Sequence, residues 1–213
     1  MSKVLYIKAN PNPEEKSFSA VVGRIFLNYY LKEKPGDEVI ELDLYEMNIP
    51  FIDRDVLSGW EKLRQGSGFE DFALGEMLKL TIINKLAEQF IQADKYIFVS
   101  PLWNLGIPAL LKAYVDAVCI VDKSFKYAEE GPVGLLKDKK AIHIQARSGV
   151  FSRGVTKDCE LGDRYIRTIL NFMGVQVADS VIIESVHQTP GQIGDIKTRA
   201  MEQAREASII FAK

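Results

Sequence analysis

The sequence predicts an α/β domain: a doubly wound, five-stranded parallel sheet with helices on both faces. Three observations carry that expectation. Short apolar runs alternate with longer segments of helical periodicity five times along the chain. Several of the runs are continuously apolar, as strands covered on both faces must be. No internal repeat, low-complexity tract or linker breaks the pattern, so residues 1–213 read as one domain, a length at which a substantial core can be buried.

Val4–Ile7 is the first buried strand, and Ser17–Leu31 follows with Val21, Val22, Ile25, Phe26 and Tyr29 at helical spacing. Pro35-Gly36-Asp37 makes a turn before the second strand, Val39–Leu44. Residues 53–75 resist assignment, because Gly59, Gly66 and Gly68 interrupt a weak periodicity. Leu78–Ile91 is a clear helix, and Lys95–Ser100 the third strand. Pro108 opens a helix running to about Ile120, at the position where its missing N–H does least harm. Phe125–Leu136, with Gly131-Pro132, reads as a hairpin or ordered loop. Lys140–Ala146 is the fourth strand, and Tyr165–Met173 is a helix closed by Gly174. Val177–Ile183 is the fifth strand and Ile193–Phe211 the terminal helix.

Composition narrows the function. The chain is 47% hydrophobic and 26% charged, outside the disordered class. Its net charge of −2 gives no footprint for nucleic acid or an anionic membrane. Cys119 and Cys159 form neither a disulfide framework nor a zinc spacing and read as small buried apolar residues in a reducing cytosol. The first apolar run is too short for a signal peptide, and no stretch approaches the roughly 18 apolar residues of a membrane span, so the expectation is a cytoplasmic protein.

In open parallel sheets ligands sit beyond the carboxyl ends of the strands. That rule directs attention to three loops. Ala9–Ser19 lacks the glycines of a dinucleotide fingerprint or a P-loop but carries Ser17-x-Ser19 at a helix start. Hydroxyls and free N–H groups there can surround a phosphate, although on this loop alone ordinary N-capping is the favoured reading, since it explains a single serine without any ligand. Ser100–Pro108 carries Pro101, Leu102, Trp103, Asn104 and Leu105, which offer a flat ring an apolar wall and an amide. Trp103 is also compatible with merely covering the core. In Gln145–Phe151, Ala146, Ser148 and Gly149 let backbone approach a ligand closely, with Gly149 free to take positive φ. Arg147 is either a phosphate partner or a solvated charge. His143, in a strand, and His187, in a late loop, have no matching Ser or Cys nucleophile and no paired metal ligand, so neither reads as catalytic and no metal site is expected.

Taken together these loops resemble the FMN-dependent NADH-azoreductase family, also described as NADH:quinone oxidoreductases of flavodoxin-like fold. The resemblance covers nearly the whole chain. It includes Lys3-Val4-Leu5, Ser17-Phe18-Ser19, Pro101-Leu102-Trp103-Asn104-Leu105 and Leu111-Lys112-Ala113-Tyr114-Val115-Asp116. It continues through Phe125-Lys126-Tyr127, Gly131-Pro132-x-Gly134-Leu135, Lys139-Lys140-Ala141 and Phe172-Met173-Gly174-Val175.

The resemblance implies FMN as cofactor and NADH as electron donor, with quinones or aromatic azo compounds taking the electrons in a ping-pong cycle. It implies FMN contacts at Asn10, Ser17, Phe18 and Ser19 on the phosphate side. Leu102, Trp103, Asn104 and Leu105 would meet the isoalloxazine, as would Ala146, Arg147, Ser148 and Gly149. Asn10 stands where many members have serine, and Ala146-Arg147-Ser148-Gly149 where many have Ser-Arg-Gly-Gly. Phe125, Tyr127 and Phe172 are candidates for the substrate pocket, which in the family lies at a homodimer interface; plain core packing accounts for them as well. No protein side chain need act as a catalytic group, since the cofactor performs the chemistry. The nearest alternative in the same fold is a quinone or flavin reductase of different nucleotide or acceptor preference. The alternative from another class is a flavodoxin-type FMN electron carrier, although such carriers are usually strongly acidic.

Overall fold

The structure, a computed structural model, describes residues 1–186 and 190–213. His187 lies outside the described residues. In chain order the main elements are β1 (Lys3–Lys8), α1 (Phe18–Glu33), β2 (Glu38–Asp43), α2 (Arg54–Gln65) and α3 (Leu74–Gln92). They continue with β3 (Lys95–Pro101), α4 (Ala109–Val118), β4 (Phe125–Ala128), β5 (Gly131–Gly134) and β6 (Lys140–Ala146). The last are α5 (Gly162–Phe172), β7 (Gln176–Val177), β8 (Val181–Ile183) and α6 (Ile193–Ala212).

The main sheet has the order β2-β1-β3-β6-β7, with β8 also paired to β6, and every pairing is parallel. Successive side chains of a strand point to opposite faces. Leu5, Ile7, Tyr96 and Phe98 therefore face a core built with α3, α4 and α5. Val4, Tyr6, Ile97, Val99, Ile142 and Ile144 face the second core, built with α1 and α6. This is the flavodoxin-like, doubly wound arrangement that the sequence predicts.

Two regions differ from or sharpen the sequence reading. The fifth strand is two pieces, not one. Ala141 pairs with Val177 and Ile144 with Val181, so one extra residue is inserted opposite β6. The interruption is held from α5: Arg167 donates to the carbonyl of Ala178 at 2.7 Å, and Ser180 donates to Asp163 at 2.6 Å. Within the unassigned stretch, α2 starts on Asp53, whose carboxylate accepts from the N–H groups of Asp55 and Val56. It ends on Gly66 at φ 75°. Gly59 breaks the periodicity because α3 packs against it: a Cβ there would lie 2.6 Å from Leu80 Cδ1.

Neither cysteine is the buried residue expected. Cys119 is half-buried at the end of α4, where burial pushes its thiol pKa up, and Cys159 is exposed in a short 3₁₀ turn, Lys157–Cys159. No helix among the described residues is long and apolar enough to cross a membrane.

β4 and β5 form the antiparallel hairpin expected between Phe125 and Leu136. The hairpin crosses the end of α5 backbone to backbone. A Cβ on Gly134 would fall within 2.3 Å of the Gly174 nitrogen, and Gly174 itself has φ 92°. We expect Gly134→Ala to destabilise the protein by about 1–3 kcal/mol, read from the urea midpoint, because the obstructing atoms are backbone and cannot rotate away.

Candidate functional site

The central strands deliver their carboxyl ends to one edge. Lys8 of β1 is in register with Val99 of β3, and Pro101 at the end of β3 with Ala146 at the end of β6. The loops that follow enclose a cavity of about 340 Å³, within the usual range for small-molecule sites.

At one end lie Asn10, Asn12, Lys16, Ser17, Phe18 and Ser19. Asn10 is a strut: its amide donates to Ser17 Oγ at 2.9 Å, and its carbonyl accepts from Asn12 N–H at 2.9 Å. Ser17 caps α1, accepting from Ala20 N–H at 3.2 Å, and its Oγ lies 3.2 Å from Ser19 Oγ. With two donors already aimed at it, the Ser17 oxygen is left to donate its own proton. A hydroxyl donor, the first-turn N–H groups of α1 and the Lys16 charge together suit an anion such as a phosphate. N-capping and anion binding are thus compatible here.

The opposite walls are Pro101, Leu102 and Trp103 from the second loop, Ala146 and Ser148 from the third, and Val186. Trp103 and Gly106 exchange backbone hydrogen bonds of 3.0 and 2.9 Å across Asn104 and Leu105, which have φ 47° and 68°. Two adjacent left-handed residues without glycine form a type I′ turn, and such strain persists where the surroundings enforce it. The left-handed backbone of the site thus falls on Asn104, Leu105 and Ser185 (φ 65°) rather than on Gly149.

The structure therefore brings Asn10, Ser17, Phe18, Ser19, Leu102, Trp103, Ala146 and Ser148 to one cavity. Asn104 and Leu105 sit on the rim turn, Gly149 is buried behind the wall, and the Arg147 side chain is directed into the protein. Phe125, Tyr127 and Phe172 cluster elsewhere, with ring centroids 4.6 Å apart for Phe125–Phe172 and 5.6 Å for Phe125–Tyr127. Sequence reasoning missed Asn12, Lys16 and Val186, and singled out Pro101 only as part of the stiff second loop. Lys16 immediately precedes the cap, and Val186 follows the fifth strand, whose carboxyl end opens on the same edge; the strand-end rule applied to that strand would have found it.

His143 does have a serine partner, contrary to the sequence reading. Its Nε2 lies 3.0 Å from Ser100 Oγ and its Nδ1 2.9 Å from Asp163 Oδ1. Ser100 and His143 are both 0% exposed, so no substrate reaches the hydroxyl and the trio is a buried brace between β3, β6 and α5.

Comparison with known proteins shows which family this fold belongs to. The family model described as flavodoxin-like fold matches residues 2–207. A Bacillus velezensis FMN-dependent NADH:quinone oxidoreductase is 49% identical over 99% of this chain and 100% of its own length. The chain belongs to this flavodoxin-like oxidoreductase family. A Staphylococcus aureus FMN-dependent NADH:quinone oxidoreductase is 44% identical over the same shares. Among solved structures, an azoreductase from Bacillus anthracis superposes with a TM-score of 0.91 at 37% identity, covering 99% of this chain and all of its own. An FMN-dependent NADH-azoreductase from Bacillus anthracis, in complex with FMN, gives 0.92 at 30% identity over the full length of both chains. The whole family body is thus shared, not a fragment of it.

The brace sets a pH dependence. Burial alone would raise the Asp163 carboxyl, but the hydrogen bond and charge of His143, the Ser180 hydroxyl and the Arg167 charge outweigh it and hold the pKa below the usual carboxylate range. A depressed carboxylate contributes stability that is present above its unfolded value of about 3.9 and lost as pH falls through the folded value. We expect Asp163→Asn to lower unfolding stability by about 1–3 kcal/mol at neutral pH and to flatten the loss of stability in acid, measured by urea titration across pH.

Proposed function

We propose that residues 1–213 act as one flavodoxin-like domain of an FMN-dependent oxidoreductase. It passes electrons from NADH through FMN to quinones and aromatic azo compounds, cleaving the azo bond reductively, with donor and acceptor alternating in one site. The observation that carries this reading is the single cavity that gathers an anion-suited helix start and an aromatic, proline-stiffened wall at the carboxyl edge of the sheet. Full-length similarity to relatives named for FMN and NADH supports it.

The residues present fit the cofactor. Lys16, Ser17 and Ser19 would hold the phosphate, Pro101, Leu102 and Trp103 one side of the ring system, and Ala146 and Ser148 the other. Bound FMN supplies the two-electron chemistry that side chains lack. The chain's own part is to orient the ring, to narrow water access with Leu102 and Trp103, and to offer backbone groups at the Asn104–Leu105 turn and at 146–149 to the ring's polar edge.

A homodimer is part of the proposal. An apolar groove of about 670 Å³ between α2 and the end of α4 is lined by Ile52, Leu57, Trp60, Leu63, Ile120 and Val121. Leu57 and Leu63 are 57% and 50% exposed, a patch suited to a second copy of the chain. Val121 also bridges to Phe125, so the Phe125–Tyr127–Phe172 cluster is continuous with this groove. None of those three aromatics lines the cavity of its own chain, so they would meet substrate across the dimer. We place the enzyme in the cytoplasm, where NADH is at hand and free thiols persist.

Three measurements test the reading. Protein reconstituted with FMN and desalted should keep a flavin absorption band that NADH bleaches anaerobically and a quinone restores. Bound flavin that NADH fails to bleach would favour an electron carrier, and failure to retain flavin would sink the cofactor assignment. Ser17→Ala should weaken FMN binding about tenfold, roughly 1.4 kcal/mol, while leaving riboflavin affinity unchanged; an equal loss for both would misplace the phosphate. Leu57→Asp should shift the chain from dimer to monomer in light scattering, and an unchanged mass would move the interface elsewhere.

A further inference from the structure

We propose that Arg147 is a positioning residue whose buried guanidinium, held between Glu160 and Glu184, fixes the cavity-forming loops relative to one another. The inference rests on the FMN reading above. Arg147 lies between two cavity residues, Ala146 and Ser148, yet its side chain runs the other way, and the residue is only 5% exposed. Nε donates to Gln145 Oε1 at 2.8 Å, Nη1 to Glu184 Oε1 at 3.2 Å, and Nη2 stands 3.5 Å from Glu160 Oε2. Arginine cannot shed its charge on burial, so it is tolerated here only because carboxylates face it.

Each carboxylate is tied to a different wall. Glu184 follows β8 and accepts from Phe151 N–H at 2.7 Å and from Ser152 Oγ at 2.7 Å, which fixes the course of the third loop after Gly149. Glu160 accepts from Asp163 N–H at 2.7 Å and so caps α5. The next residue, Leu161, donates its N–H to the carbonyl of Leu105 at 2.9 Å, which anchors the strained turn beside Trp103. The approach is close: a Cβ on Gly162 would lie 2.5 Å from Gln145 Nε2 and 2.8 Å from Leu102 Cδ1. The Arg147 backbone completes the set, donating to Ile183 at 2.7 Å and accepting from Val186, a cavity residue, at 3.3 Å.

One cation therefore links the second loop, the third loop and the 184–186 segment. Its planar fork reaches both carboxylates at once, which a lysine ammonium does not reproduce. The Arg147 side chain in this account serves FMN by holding the walls and does not touch the flavin.

The test uses the full chain with Glu184→Gln, which keeps the size of the side chain and its acceptor oxygen but removes the charge facing Arg147. Ser152→Ala, at an exposed position, is the second variant and carries little folding risk. The FMN dissociation constant, from quenching of flavin fluorescence, should rise about tenfold for Glu184→Gln and by a smaller factor for Ser152→Ala. In FMN-free protein the backbone amides of residues 147–152 should exchange about tenfold faster or more, while those of α1 keep their protection. Dissociation constants within about twofold of the unsubstituted chain, together with unchanged exchange, would overturn the proposal. An unsubstituted chain that binds no FMN would refute the cofactor reading instead, and the exchange measurement alone would then decide this one.

Discussion

Parallel pairing of β1, β3 and β6 is the constraint on which the rest of the molecule depends. The pairs Lys8–Val99 and Pro101–Ala146 end three neighbouring strands at one edge, so the loops that follow have no choice but to converge. Parallel strands need crossovers, and the crossovers place α1 on one face and α3 and α4 on the other. The cavity is a consequence of that geometry. Its chemistry comes from what each loop carries: hydroxyls and a lysine at the start of α1, proline and tryptophan after β3, small residues after β6.

The loops are rigid for separate physical reasons. The first is held by Asn10, whose amide spans from Asn12 to Ser17. The second is a left-handed turn whose strain is stabilised by mutual Trp103–Gly106 hydrogen bonds and by Leu161 beneath it. The third is clipped by Glu184. Below all of them, Ser100, His143 and Asp163 brace the strands with a grouping that in an open cleft would suggest a nucleophile and here, with Ser100 and His143 fully buried, only joins elements. The same residue types carry different meanings because water and substrate reach one place and not the other.

Much of this was legible in the sequence. Continuous apolar runs such as Tyr96-Ile97-Phe98-Val99 announced buried strands, and the punctuation of Pro108 and Gly174 located helix ends. What was not legible depended on contacts between distant residues. Gly59 reads as a helix breaker until Leu80 is seen packed against it, and the extra residue between Val177 and Val181 is invisible without the register of β6. For the cavity, residue type and position pointed to Ser17, Ser19, Trp103 and Ala146, which line it. The direction of a long side chain cannot be read from a motif, and Arg147 illustrates this: the sequence left it between phosphate partner and surface charge, while the fold turns it onto Glu160 and Glu184. Val186 becomes visible only when the carboxyl end of the fifth strand is followed to the same edge.

The most direct measurement is a crystal structure of the chain grown with FMN. The account predicts density for the phosphate at Ser17 and Ser19, and for the ring system between Trp103 and the 146–149 backbone, with Arg147 still paired to Glu184. Flavin bound anywhere else, such as in the apolar groove between α2 and α4, or an Arg147 side chain swung out onto the ring, would contradict it.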